Sequence, residues 1–399
     1  NNYHYNKTIF LMGKQKLTGI FPTKKKDFVP SGNLSLVFCN NCKLLQLEDS
    51  FDLNVMYGDN YGYLSSLNPH MVNHLKNKSL KLSKILNLKS NDIIIDIGSN
   101  DGTFLSNFQK KFILIGVDPT IAKLRKFYRK DIKLVADFFN YNKVQKFFKK
   151  RKAKLITSMS MFYDLIEPLK FAREIYNSLD KNGVWHLEQS YMPSMIKNTS
   201  YDTICHEHLE YYSLESIKYI FDKVGFKIID LEFNDINGGS FALTLAKKKS
   251  NYKECSYLIN WLLKKEDLFK YNSINKLNNF YENVVNHKKV FKNLILNLLD
   301  MKKKVIGYGA STKGNVILQY CNLTSREIPY ILDVNKDKNN KYTPGTRIKI
   351  VSEKNLKKIN PDYMVVLPWH FKNFIIDKEK KYIKKGGKLI FPLPDIEII

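Results

Sequence analysis

The chain alternates short apolar runs with amphipathic stretches through its first two thirds. Ile93-Ile94-Ile95-Asp96-Ile97 is apolar without alternation and ends in the small-residue turn Gly98-Ser99-Asn100-Asp101-Gly102. That pattern predicts a buried parallel strand feeding a helix N-terminus, with Thr103-Phe104-Leu105 opening the helix. Similar runs follow at Phe112–Val117, Ile132–Val135, Ala153–Ser158 and Gly183–Glu188. Between them, helical spacing marks 121–130 and 168–179. A further helix over 68–88 precedes the first strand, with Met71, Leu75, Leu80, Leu82, Ile85 and Leu86 apolar. Such alternation predicts an α/β, doubly wound parallel sheet with ligands at the strand carboxyl ends.

Ser213 is placed to cap a helix over 214–225, with Glu215 and Ser216 in its first turn. A strand over 227–233, the turn Asn237-Gly238-Gly239-Ser240 and an apolar strand from Phe241 to Leu245 read as a hairpin or a place of close ligand approach. Residues 251–300 read as one or two long helices linking domains. Beyond them, Lys304 to Asn315 is a strand, a Gly307-Tyr308-Gly309 turn and a helix start, and the next strand ends at Asp333. Nucleotide binding through the turn amides with Ser311, Thr312 and Lys313 is one reading of this repeat, and a purely structural role is the other. The predicted division is 1–66, an N-terminal knuckle and lid; 67–250, the main α/β core; 251–300, a helical linker; and 301–399, a Rossmann-like domain.

Composition narrows the class. With 399 residues, 44% of them hydrophobic and 26% charged, the chain is long enough for two or three domains. No run approaches the roughly 18 apolar residues of a membrane span, and no leader pattern opens the sequence. The formal charge of +27 is spread in short runs such as Lys24-Lys25-Lys26 and Lys302-Lys303-Lys304. Solvated faces explain it better than a nucleic-acid surface, though it still attracts an anionic substrate. Five cysteines with one close pair, Cys39 and Cys42, point to reduced thiols, hence a cytoplasmic protein, rather than a disulfide framework. No nucleic-acid or membrane partner is expected; monomer and homo-oligomer are both open.

The turn after the first strand carries the chemistry. Its pattern is D-x-G-x-x-x-G, with carboxylates at Asp96 and Asp101, and Asp118 lies 20 residues beyond Gly98, the spacing at which an acidic side chain meets ribose hydroxyls. Few glycines and several carboxylates suit a cationic, phosphate-free adenosyl ligand. The stretch resembles motif I of the class I S-adenosylmethionine (SAM) methyltransferases. Candidate cofactor residues are Asp96, Gly98, Ser99, Asn100, Asp101, Gly102, Asp118, Asp137 and Ser158. Two further clusters stand out. Cys39-Asn40-Asn41-Cys42 is a single C-x2-C knuckle, half of a tetrahedral zinc site. Tyr201 to Ser213 holds Cys205-His206-Glu207-His208, whose spacing is not that of a zinc protease.

Taken in order, these motifs resemble the zinc-containing, SAM-dependent sugar C-methyltransferases, which methylate C3 of NDP-4-keto-deoxysugars. The resemblance runs through the knuckle with Leu44-Leu45-Gln46-Leu47, the tyrosine turn from Tyr57 to Tyr63, the core with His206-Glu207-His208 and Asn237-Gly238-Gly239-Ser240, and the C-terminal Gly307–Asn315, Pro344-Gly345-Thr346, Pro361-Asp362-Tyr363 and Trp369. It implies SAM as cofactor and structural zinc at Cys39 and Cys42. The family has two C-x2-C pairs, and the first would fall at or before residue 1. It also implies catalysis by Glu207 and His208. The family tyrosine opening that segment is Cys205 here, and Tyr163-Asp164 stands where the family has a histidine. The mechanism expected is removal of the C3 proton by His208, with Glu207 orienting it or holding substrate hydroxyls. Tyr61, Tyr63 or His206 would donate to the enolate oxygen. Tyr163, Asp164, Asn237, Gly238 and Lys313 are the expected substrate contacts. O- or N-methylation of a related nucleotide sugar or another small anionic substrate keeps the same SAM site and is the alternative.

Overall fold

The computed structural model describes residues 5–52, 56, 63–148 and 151–399. Three sheets organise them. In the first, β1 (Tyr5–Lys16), β2 (Ser31–Cys39) and β3 (Leu45–Leu47) pair antiparallel, and β3 takes a fourth strand from far along the chain.

The central sheet begins with β4 (Ile93–Ile97), buried at all five positions. β5 (Ile113–Val117), β6 (Lys133–Val135), β7 (Ala153–Met159) and β8 (Leu179–Ser190) run parallel to it. The strand joining the first sheet is β9 (Glu210–Tyr211), with Leu45 opposite Tyr211. The His-Glu-His segment is thereby fastened to the N-terminal sheet. Antiparallel β10 (Phe226–Asn234) and β11 (Ser240–Lys247) complete an order of β10-β11-β8-β7-β4-β5-β6. The glycine pair at 238–239 is the hairpin turn between them. The topology is that of the class I SAM methyltransferase fold.

Two expected helices are shorter than the spacing suggests. Thr103 and Phe104 lead only to a 3-10 turn at Leu105–Asn107, because the chain must turn at Phe108 to start β5 at Ile113. Over 121–130 the helix is Ile121–Leu124 followed by a 3-10 turn at Arg125–Phe127. The helix Leu214–Val224 begins as expected, its cap closed reciprocally by Ser213 and Ser216.

The third sheet holds β12 (Val305–Tyr308), β13 (Tyr330–Asp333), β14 (Lys349–Ser352), β15 (Tyr363–Val366), β16 (Lys388–Phe391) and β17 (Glu397–Ile398), in the order β14-β13-β12-β15-β16-β17. The stretch before it is more than a linker. Helix Ile274–Asp300 buries Leu277, Phe280, Val284, Phe291, Ile295 and Leu298, a repeat of three to four residues along one stripe. Those side chains share one core with β1, β2 and β12, and Phe280 stacks on Phe10 at 5.5 Å. The N- and C-terminal sheets are thus joined through this helix.

Candidate active site

At the carboxyl ends of β4, β5 and β7 lies an open cleft. Asp96, Gly98, Ser99, Asn100, Asp118 and Asp137 line it, with Phe104, Phe138, Phe139 and Met161 as apolar walls. The loop leaving β4 is held from several sides. Gly98 has φ +71°, and a Cβ there would sit 3.1 Å from Met161 Cγ, so only glycine keeps this wall of the cleft open. Tyr128 Oη donates to the Asn100 carbonyl and accepts from Ser99 Oγ, each at 2.7 Å. Sequence reasoning passed over Tyr128; its role depends on the loop folding back over it.

Five carboxylates line this cleft, Asp96, Asp118, Asp137, Asp164 and Glu188. Burial pushes Asp96 up to about 7, with Thr157 Oγ1 donating to it at 2.6 Å against that trend and the Asp118 charge adding to it. Asp118 is also raised by burial, although Thr120 and the Asn100 amide hydrogen-bond to it. Asp137 is half-buried, and its ion pair with Lys143 lowers it. An acidic, aromatic-walled cleft with no arginine or lysine among the described residues that line it fits a cationic adenosyl ligand and disfavours a pyrophosphate.

Three residues expected at the cofactor do not line the cleft. Asp101 accepts from Ser66 N and from Thr103 N and Oγ1. Together with Asn100, which bonds Ser65 N and the Tyr63 carbonyl, it ties the 63–66 segment down beside the loop. Gly102 has φ +76° and packs under Tyr128, whose ring would lie 2.6 Å from a Cβ. Ser158 is fully buried and accepts from Trp185 Nε1 at 2.8 Å.

The cleft also contains a residue the sequence did not single out. Glu188, near the end of β8, is 2% exposed and lines the cleft. His74 Nε2 approaches it at 2.7 Å, Lys78 Nζ at 2.9 Å and Asn234 Nδ2 at 2.9 Å. Burial raises its carboxyl, but the His74 bond and the Lys78 charge outweigh this and hold it down at about 2.

Beyond the loop Ser160–Asp164 is a second, smaller cavity. His208, Tyr163, Thr203, Ser190, Glu210, Tyr211, Met192 and Met195 line it. The two spaces are adjacent along the chain, since Asp164 lines the first and Tyr163 the second. The Tyr163 and His208 rings are 4.3 Å apart. His208 Nδ1 lies 2.8 Å from the Thr203 carbonyl oxygen. A carbonyl only accepts, so Nδ1 carries the proton and Nε2 keeps its lone pair. Burial, reinforced by Lys313, pushes this imidazole down to about 3 against the Thr203 bond.

The neighbours of His208 depart from expectation. His206 is 1% exposed and points into the N-terminal sheet, with Nε2 3.3 Å from the Gly32 carbonyl and its ring edge-on to Phe51. Glu207 does not orient His208. It accepts from Thr18 at 3.3 Å, and burial raises its carboxyl. Tyr63 lines the SAM cleft, and Tyr61 lies outside the described residues, as does Tyr57.

Asn237, Gly238 and Lys313 join the domains and line neither cavity. Lys313 Nζ donates to the Asn237 carbonyl at 2.7 Å, and Asn237 Nδ2 donates to Ser160 Oγ at 3.1 Å. Gly238 sits against Trp369, whose indole donates to Asp202 at 2.8 Å. The second glycine-rich turn is internally bonded. Its Gly309, Ala310, Ser311 and Gly314 amides donate to Leu332 O, Asp333 Oδ2, Gly309 O and Ser311 Oγ. Those amides are not offered to a phosphate, which favours the structural reading of this repeat.

The zinc expected at Cys39 and Cys42 does not fit. Among the described residues no group of three or more Cys, His, Asp or Glu could hold a metal. Nor is any described helix long and apolar enough to cross a membrane.

The fold and cleft define a SAM-dependent methyltransferase. Comparison with known proteins agrees. Residues 70–231 match the family model described as a methyltransferase domain, and residues 235–394 match the C-methyltransferase C-terminal domain. The chain is 26% identical over 371 residues to C-methyltransferase NovU of Streptomyces niveus, covering 92% of this chain and 87% of that protein. Among solved structures, a SAM-dependent methyltransferase from Clostridium acetobutylicum ATCC 824 aligns at 14% identity and a TM-score of 0.36, over 44% of this chain and 92% of that one. A methyltransferase from Bacillus halodurans C-125 aligns at 14% identity and a TM-score of 0.34, over 43% of this chain and 99% of that one. Over both halves the chain is thus similar to SAM-dependent C-methyltransferases.

Proposed function

We propose that the protein methylates carbon 3 of a nucleotide-linked 4-keto-deoxysugar, through an enolate formed by His208. The observation that carries this reading is the Thr203–His208 hydrogen bond, which leaves Nε2 as a neutral acceptor in the cavity beside the cleft. The keto group acidifies the neighbouring C–H bond, and a neutral imidazole is the group suited to take that proton. The loop Ser160–Asp164 touches both spaces, so a sugar in the smaller cavity would meet the cofactor cleft across it.

Asp96, Asp118, Asn100 and the Gly98 wall would hold SAM, which supplies an electrophilic methyl group when bound. The chain's own part is to position the sugar, remove one proton and shield the resulting anion from water. The overall positive charge of the chain favours an anionic nucleotide sugar arriving from solution.

Incubation with SAM and an NDP-4-keto-6-deoxyhexose tests this reading. The expected product is heavier by one methyl group, with the new methyl on C3 by NMR. A methyl on oxygen or nitrogen contradicts it.

A further inference from the structure

The enolate needs a donor at its oxygen, and the two described donors expected by sequence, Tyr63 and His206, do not line the smaller cavity. Among the described residues, His206 faces the Gly32 carbonyl and Tyr63 the cofactor cleft. Of the four hydroxyl-bearing residues that line the cavity with His208, two stand out, Tyr211 and Ser190. Tyr211 is 4% exposed; the Cys205 backbone amide approaches its Oη, but its O–H has no acceptor. Ser190 Oγ is buried and its O–H likewise has no acceptor. Both residues line the same cavity as His208. By contrast the Glu210 carboxylate there is engaged by Tyr212, and the Thr203 carbonyl by His208.

Buried hydroxyls are nearly always satisfied, so two without an acceptor on residues lining one cavity call for a partner. The backbone fixes their relation. Ser190 ends β8, Tyr211 ends β9, and the next residues, Tyr191 and Tyr212, pair directly. The groups facing Tyr211 are Cys205, Asp164 and Glu207. Burial, with those neighbours adding, holds its phenol well above the usual range, so it stays a donor at neutral pH.

We propose that Tyr211 and Ser190 form a two-hydroxyl cradle for the substrate's keto oxygen, opposite His208. The proposal rests on the C-methylation reading above. His208 Nε2 takes the C3 proton, and the C–H electron pair becomes the C3–C4 double bond. The former carbonyl pair moves onto oxygen, where the two O–H groups donate to it. When C3 uses its pair for the new bond to the methyl carbon, the sulfur–methyl bond of bound SAM would break with its pair left on sulfur, the carbonyl re-forms, and the proton on His208 passes to solvent, which returns the base and the cradle to their starting state. Preorganised donors at the developing oxyanion are the arrangement that lowers such a barrier most.

The test compares native protein with Tyr211→Phe and Ser190→Ala, supplied with SAM and an NDP-4-keto-6-deoxyhexose. Tyr211→Phe should lower kcat about 10²–10³-fold, the loss typical of one oxyanion donor. Loss of the C3 hydrogen into D2O should slow in step, while SAM affinity and melting temperature stay native. Ser190→Ala should lower both rates at least about tenfold. Turnover by Tyr211→Phe within about twofold of an active native enzyme overturns the cradle and leaves C-methylation standing. A native enzyme that neither methylates carbon nor exchanges C3 overturns the underlying reading and the cradle with it. Should Tyr211→Phe lower the melting temperature, Ser190→Ala decides, and native turnover there overturns the proposal.

Discussion

The Nδ1 of His208 lies 2.8 Å from the carbonyl oxygen of Thr203, and that one bond fixes which ring nitrogen is free for chemistry. It also explains how a histidine whose neighbour Glu207 turns toward Thr18 keeps a defined tautomer. Replacing His208 with Asn should lower kcat about 10²–10⁴-fold, the usual worth of general-base help, with SAM affinity unchanged. Steady-state rates together with calorimetric titration of SAM check this.

The same residue makes a pH prediction. Burial and Lys313 push its imidazole down to about 3, so it stays neutral through the ordinary working range. With SAM saturating, the pH profile of kcat/KM for the sugar should therefore carry no acid limb from His208 near the unperturbed histidine value of about 6.5. An acid limb there that disappears in His208→Asn would contradict the assignment.

Asp96 behaves in the opposite sense. Burial raises it to about 7, so it changes charge near neutrality. Ionised Asp96 attracts a sulfonium and protonated Asp96 does not. SAM affinity should rise from about pH 6 to about pH 8, and Asp96→Asn should flatten that rise. Titrations of SAM at several pH values measure it.

Glu188 links the cleft wall to the helix Pro69–Leu86 through His74 and Lys78. Breaking a buried ion pair on one side costs about 3 kcal/mol, so Glu188→Gln should lose roughly that much stability in urea unfolding at neutral pH. The folded carboxyl sits at about 2, below its ordinary 4.5. Its stabilisation is thus fully present above the unfolded value and fades as pH falls through the folded one. The deficit of the variant should shrink over that same window.

Gly238 holds φ +87°, and a Cβ there would lie 2.7 Å from the Trp369 ring. Gly238→Ala forces both backbone strain and movement of the indole that bonds Asp202. A loss of about 1–3 kcal/mol is expected, with lower kcat, because the Asn237 turn that carries Ser160 and Lys313 would shift. Thermal unfolding and turnover measured together check it.

What could be read from sequence was local. The run into Asp96, the turn and Asp118 form a continuous pattern, and the structure places Asp96, Gly98, Ser99, Asn100 and Asp118 together along one cleft. His208 too was visible as a histidine in a polar cluster. What escaped depends on distant pairing. Glu188 meets His74 across 114 positions of sequence, and Tyr128 reaches back 28 to Asn100. The direction of His206 is set by Phe51 and Gly32, which no spacing rule connects to it. Ser158 was assigned to the cleft by its place at a strand end, but Trp185 had already claimed its hydroxyl.

The most direct measurement is the fate of the C3 hydrogen of an NDP-4-keto-6-deoxyhexose in D2O with SAM, followed by NMR. The account predicts that native protein removes that hydrogen and places a methyl on the same carbon. It also predicts that His208→Asn does neither at a comparable rate while still binding SAM. Methyl transfer by native protein with the C3 hydrogen retained would contradict the account.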